Sequence, residues 1–109
     1  MSSYYWGNLS SENSSNINSG TSDIDFGATP GSNYAYIAIT GQTGILTTSS
    51  VKVWISASNT SDHNEFEHLM LNMKSGISYG NIIDNVGFTI YILTELRVSG
   101  SFKINWEWI

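Results

Sequence analysis

The segment Phe102-Lys-Ile-Asn-Trp-Glu-Trp-Ile109 alternates apolar and polar side chains up to the last residue given. A period of two is that of a strand with one face buried. It places Phe102, Ile104, Trp106 and Trp108 on the inner face and Lys103, Asn105 and Glu107 on the other. A strand carrying two tryptophans on its buried side ties down an end that would otherwise fray. The expectation is therefore a chain that ends inside its own sheet, with no tail or anchor beyond it.

The rest of the chain reads as β as well. Tyr34 to Thr40 alternates weakly, and Gly41-Gln-Thr-Gly44 makes a tight connection. Val51 to Ser56 turns Val51, Val53 and Ile55 inward and leaves Trp54 on the opposite face with Lys52 and Ser56. Ile77 to Ile83, Gly87 to Leu96 and Ser101 to Ile109 supply further strands, broken at the turn-prone pairs Asp84-Asn85 and Ser99-Gly100. With 109 residues there is room for one domain. Short strands at this spacing predict an all-β fold, a small antiparallel β-sandwich or jelly-roll-like domain, over residues 24–109.

Residues 1–23 are expected to stand apart as a flexible N-terminal arm. Positions 7 to 23 are rich in Ser and Asn, have no periodicity, and offer little to bury. Ahead of them Tyr4, Tyr5 and Trp6 form an aromatic cluster. It either docks on its own domain or acts as a hook that reaches a neighbouring subunit through a polar tether.

The segment from Asn59 to Met70 breaks the strand pattern. Ser61 or Asp62 can cap one or two helical turns, with glutamates following; a strand over Leu69 to Lys74 competes, because Leu69, Leu71 and Met73 alternate. Within it lies the one grouping with reactive chemistry, Asp62 to His68. On a helix His63, Glu67 and His68 could approach one divalent ion, yet the spacing is not His-Glu-x-x-His. The default expectation is that Asp62 and both histidines hydrogen-bond to nearby backbone, with no metal and no other cofactor.

Several function classes are disfavoured. The chain has no cysteine for a thiolate nucleophile or a disulfide, no Gly-x-Ser-x-Gly and no phosphate-binding glycine loop, so no enzyme activity is expected. Four cations against nine acidic residues, a net charge of −5, argue against nucleic acid as a partner. No apolar run approaches a membrane span and no basic-then-apolar leader is visible, so a soluble protein without membrane contact is expected. With only 12% charged residues, the surface must be largely Ser, Thr, Asn and Gly, which suits packing against other proteins. Exposed aromatics, with Trp54, Tyr34 and Tyr36 as candidates, would instead suit stacking on sugar rings.

The run Asp25-Phe-Gly-Ala-Thr-Pro-Gly31, then Thr40-Gly-Gln-Thr-Gly-Ile45, Asp62-His-Asn with Glu67-His68, Gly87-Phe-Thr-Ile-Tyr91, Glu95-Leu96 and finally Trp106-x-Trp108 resembles a group of small, largely uncharacterised structural proteins of tailed bacteriophages and prophages. The resemblance spans residues 24–109. It implies a virion structural component and leaves the position in the particle open. The small core, low-charge surface, aromatic hook and lack of a reaction centre point to the capsid surface, so the expectation is a decoration or cement protein, working as a homo-oligomer and in contact with other virion proteins, above all the major capsid protein. A neck or tail component is the alternative within that class. A carbohydrate-binding module for attachment to a host surface is the alternative outside it. Tyr4, Tyr5, Trp6 and Trp54 are the expected interaction residues.

Overall fold

A computed structural model describes residues 17–109. These form six strands and a helix: β1 (Asn18–Asp25), β2 (Ser32–Ile39), β3 (Val51–Trp54), α1 (Glu65–Lys74), β4 (Ser75–Ile83), β5 (Gly87–Val98) and β6 (Ser101–Trp108). They make two three-stranded antiparallel sheets, ordered β1-β6-β3 and β2-β5-β4. The fold is thus mostly β.

The terminal run does what its period requires. As the central strand β6, it buries Phe102, Ile104, Trp106 and Trp108 while the residues between them stay partly exposed. Across from them, Ala35 and Ile39 of β2 and Phe88, Ile90 and Ile92 of β5 complete a single core with Ile24, Phe26, Ile45, Val51, Ile55 and Leu71. Both indole N–H groups are satisfied. Trp108 Nε1 donates to Gln42 Oε1 at 2.9 Å, and Trp106 Nε1 reaches Ser22 Oγ at 3.4 Å.

Residues 18–23, placed in the arm by composition, belong to the sheet as β1. They pair with β6 along its whole length, from Asn18 opposite Trp108 to Asp25 opposite Ser101. The polar composition is compatible with a strand because β6 supplies the bulk. A Cβ on Gly20 would lie 2.5 Å from Trp106 Cζ2, so the indole occupies the space above Gly20. The folded unit therefore begins at or before Asn18 rather than at residue 24. Tyr4, Tyr5 and Trp6 lie outside the described residues.

Between Ile55 and β4 the chain forms α1, which is longer than one or two turns and replaces the competing strand over 69–74. Its N-cap is Asn64, rather than Ser61 or Asp62. The Asn64 side chain accepts from Glu67 N and the Glu67 carboxylate accepts from Asn64 N, each at 2.9 Å, which completes a capping box. The strands of the two sheets exchange at a corner after β5. There Gly100 N donates to Gly27 O and Phe26 N to Gly100 O.

Candidate functional site

β3 is only four residues long and stops with Trp54 opposite Asn105. Among the described residues, the first half of β6 therefore has a strand beside it only on the β1 side. Its other edge would expose N–H and C=O groups close to the core, where an unpaired polar group is costly. The segment from Thr60 to His68 covers this edge with side chains in place of a strand. Ser101 N donates to Asp62 Oδ2 at 2.7 Å, Thr60 Oγ1 donates to Ser101 O at 2.7 Å, and Lys103 N donates to His68 Nε2 at 2.9 Å. Gly100, at φ +82°, lies so close to Asp62 that a Cβ there would sit 2.9 Å from Asp62 Cβ. A side chain at position 100 would push the carboxylate off Ser101.

His68 is fully buried. Its Nδ1 faces the Asn64 carbonyl at 2.9 Å, so Nδ1 carries the proton and donates, while Nε2 accepts from Lys103 N–H. Both nitrogens of the neutral ring are engaged. His63 lies flat on Phe102, ring centroids 3.8 Å apart and 11° from parallel. Its Nε2 faces the Ser99 carbonyl and its Nδ1 faces Glu67 Oε1 at 3.3 Å, so both nitrogens meet acceptors and the doubly protonated ring can donate to each. The Asn64 backbone N–H first, and the His63 ring with it, hold the Glu67 carboxyl below the usual carboxylate range.

His63 and Glu67 thus come together, but His68 turns away from both, into the sheet. Among the described residues no group of three or more His, Cys, Asp or Glu is placed to hold a metal ion. Asp62, His63 and His68 are instead bonded to loop and strand backbone.

Two surfaces are built differently from the rest. The first is α1. At about 100° per residue, His68 and Leu71 share the side that packs on the core, while Phe66, Leu69, Met70 and Met73 share the opposite side. Phe66 is 67% exposed and Met73 77% exposed. A surface helix ordinarily turns charge outward; this one has a second apolar stripe at spacings of three, four and seven. Met70 continues the stripe to the rim of a 400 Å³ groove between α1 and the end of β5. Leu71, Leu96, Val98 and Phe102 line that groove, with Glu67, Lys74 and Arg97 also at its wall.

The second is the outer face of the β2-β5-β4 sheet. Because Ala35, Ile39, Ile90 and Ile92 point into the core, Tyr34 and Tyr36 of β2 and Tyr91 and Leu93 of β5 point out. Tyr36 stands directly opposite Tyr91, and Tyr34 opposite Leu93. On the β4 side, the same face carries only Gly76, Ser78 and Gly80. The expected exposed tyrosines are therefore exposed, and Tyr91, half-buried, lies beside them on the same face. Trp54 is 39% exposed but lies on the other sheet, opposite Asn105, on the face that also carries the Lys52–Glu107 and Lys103–Asp23 ion pairs. No helix among the described residues is long and apolar enough to cross a membrane.

No known family model, curated protein or solved structure matches this chain.

Proposed function

We propose that the protein acts by binding, without catalysis, as a structural component of a tailed-phage virion, and that the outward stripe of α1 is what seats it on its neighbours. The observation that carries the reading is the helix itself. Phe66, Leu69, Met70 and Met73 form an apolar line that faces away from the protein's own core and runs into an open groove. Such a line is the form in which a helix enters a partner's hydrophobic surface, and methionine adapts to irregular contacts. The polar atoms of the Asp62–His68 segment are engaged in holding backbone, which supports a scaffold role over a reaction centre.

The two sheets around one core are read here as a small β-sandwich; a jelly-roll-like course would need strands beyond the six described. The position that suits such a domain is the capsid surface, as a decoration or cement protein in homo-oligomers on the major capsid protein. A neck or tail position is the runner-up. Reconstruction of the particle that carries the protein tests this directly. Density for the domain repeated over the capsid lattice is the expected result, a ring or fibre at one vertex would move it to the neck or tail, and a particle without the protein would end the virion reading.

A further inference from the structure

The outer face of the β2-β5-β4 sheet has a composition that a solvated sheet face does not need. Antiparallel sheets usually turn polar and charged side chains to water. Here the outward positions of β2 and β5 carry three tyrosines and a leucine, and along the paired stretch from Ala38 to Tyr34 no acidic or basic residue interrupts them. Tyr34 and Tyr36 have ring centroids 5.8 Å apart, and Tyr36 and Tyr91 6.5 Å, with successive rings tilted by 36° and 35°. The three rings make a continuous strip, bent gently across the strands. It ends over β4, where a Cβ on Gly80 would touch Tyr91 Cε2 at 3.4 Å. Beyond the rings, Gly76, Ser78 and Gly80 leave a smooth lane with no long side chain rising from it.

We infer that this face is a binding site for a neutral polysaccharide, with Tyr34, Tyr36 and Tyr91 as the stacking platform and the glycine-serine lane as the bed beside it. The inference is independent of the virion role and of α1. The chemistry of the ligand follows from the chemistry of the face. A pyranose ring has an apolar C–H side and a rim of hydroxyls. Tyrosine rings cover the first by dispersion and ring quadrupole, while their own hydroxyls and Ser78 Oγ stand at the level of the second. An anionic ligand finds no cation on the strip, and the net charge of −5 opposes its approach. A protein partner would be gripped by interlocking side chains, which the glycine lane lacks; a flat, flexible-edged sugar chain needs only the platform.

The face also separates Tyr34 and Tyr36 from Trp54, the third candidate exposed aromatic. That ring lies on the other sheet, on the face that carries the Lys52–Glu107 and Lys103–Asp23 ion pairs. Tyr36, the middle ring of the strip and 63% exposed, is the position where loss of a side chain removes stacking area with least effect on the core.

The test is titration of the full chain with cellohexaose, maltohexaose and chitohexaose, followed by intrinsic fluorescence and by amide shifts. Saturable binding of at least one of the three is expected. Tyr36→Ala should weaken it about tenfold or more, and Tyr36→Phe should keep it within about twofold, since the ring and not the hydroxyl supplies the stacking. Trp54→Ala and the α1 substitution Met73→Glu should leave it unchanged, so that failure of the sugar site and failure of the α1 docking surface are told apart. Binding of none of the three sugars overturns the inference. So does binding that survives Tyr36→Ala, or a Tyr36→Ala protein that loses self-association while showing no change in sugar binding.

Discussion

His68→Leu is the substitution that most sharply probes how the Asp62–His68 segment works. The leucine is close in volume, so no large cavity opens, and the change acts mainly on hydrogen bonding. Asn64 O keeps its helical bond from His68 N at 3.1 Å. Lys103 N–H does not keep a partner, because His68 Nε2 is the acceptor that stands where a neighbouring strand would be. An orphaned buried donor costs about 1–3 kcal/mol, and the lost Nδ1 bond adds about 1 kcal/mol. Burial of extra apolar surface by leucine offsets part of this, which leaves a destabilisation of about 2–3 kcal/mol against a typical total of about 5–15 kcal/mol. For a domain of this size that is a fall in Tm of about 10–20 °C. Thermal unfolding followed by circular dichroism measures it. Amide exchange gives the local readout, with protection lost first at Lys103. A variant that melts within about a degree of the wild type, with Lys103 still protected, would refute the idea that side chains replace the missing half of β3.

Trp108→Ala removes a ring that is 6% exposed and bonded to Gln42, and should cost about 3–5 kcal/mol, read as a lower midpoint in urea unfolding; an unchanged midpoint with lost assembly would make this strand an interface instead. Glu67 has a folded pKa below its ordinary value of 4.5, so its contribution to stability is complete above that value and is lost as pH falls through the lower folded value. Glu67→Gln should therefore flatten the acid limb of the Tm-against-pH curve while leaving the limb above about pH 6 nearly parallel to wild type. Treatment with a chelator should move Tm by no more than about a degree, because a structural metal would contribute several kcal/mol through linkage; a larger drop reversed by zinc would make ligands of His63 and Glu67.

Much of the fold could be read from the chain because its strongest signals are local. Alternation in β6, the inward set Val51, Val53 and Ile55, and the Asp84-Asn85 turn each depend on neighbours in sequence. What escaped depends on partners that are distant. β1 has no apolar period because the space above Gly20 is filled by Trp106 and Ser22 serves the same indole. A Gly-x-Ser alternation ahead of a domain that ends in Trp-x-Trp is the signal that could have revealed it. The Leu69-Leu71-Met73 alternation suggested a strand, whereas the capping box at Asn64 starts a helix that divides the same residues between two faces. Tyr91 lies within Ile90-Tyr-Ile-Leu93, four residues without polar alternation, and its pairing with Tyr36 shows that it points outward. The bonds from Asp62 and His68 to β6 span 39 and 35 residues, and nothing local in the sequence marks them.

The most direct test of the assembly role is co-sedimentation of the protein with the particles that carry it, comparing wild type with the double variant Phe66→Glu and Met73→Glu. Both positions are largely exposed, so the isolated domain should keep its stability within about 0.5 kcal/mol. The account predicts that wild-type protein pellets with the particles and that the double variant, equally folded, stays in the supernatant. A double variant that pellets as fully as wild type would contradict it.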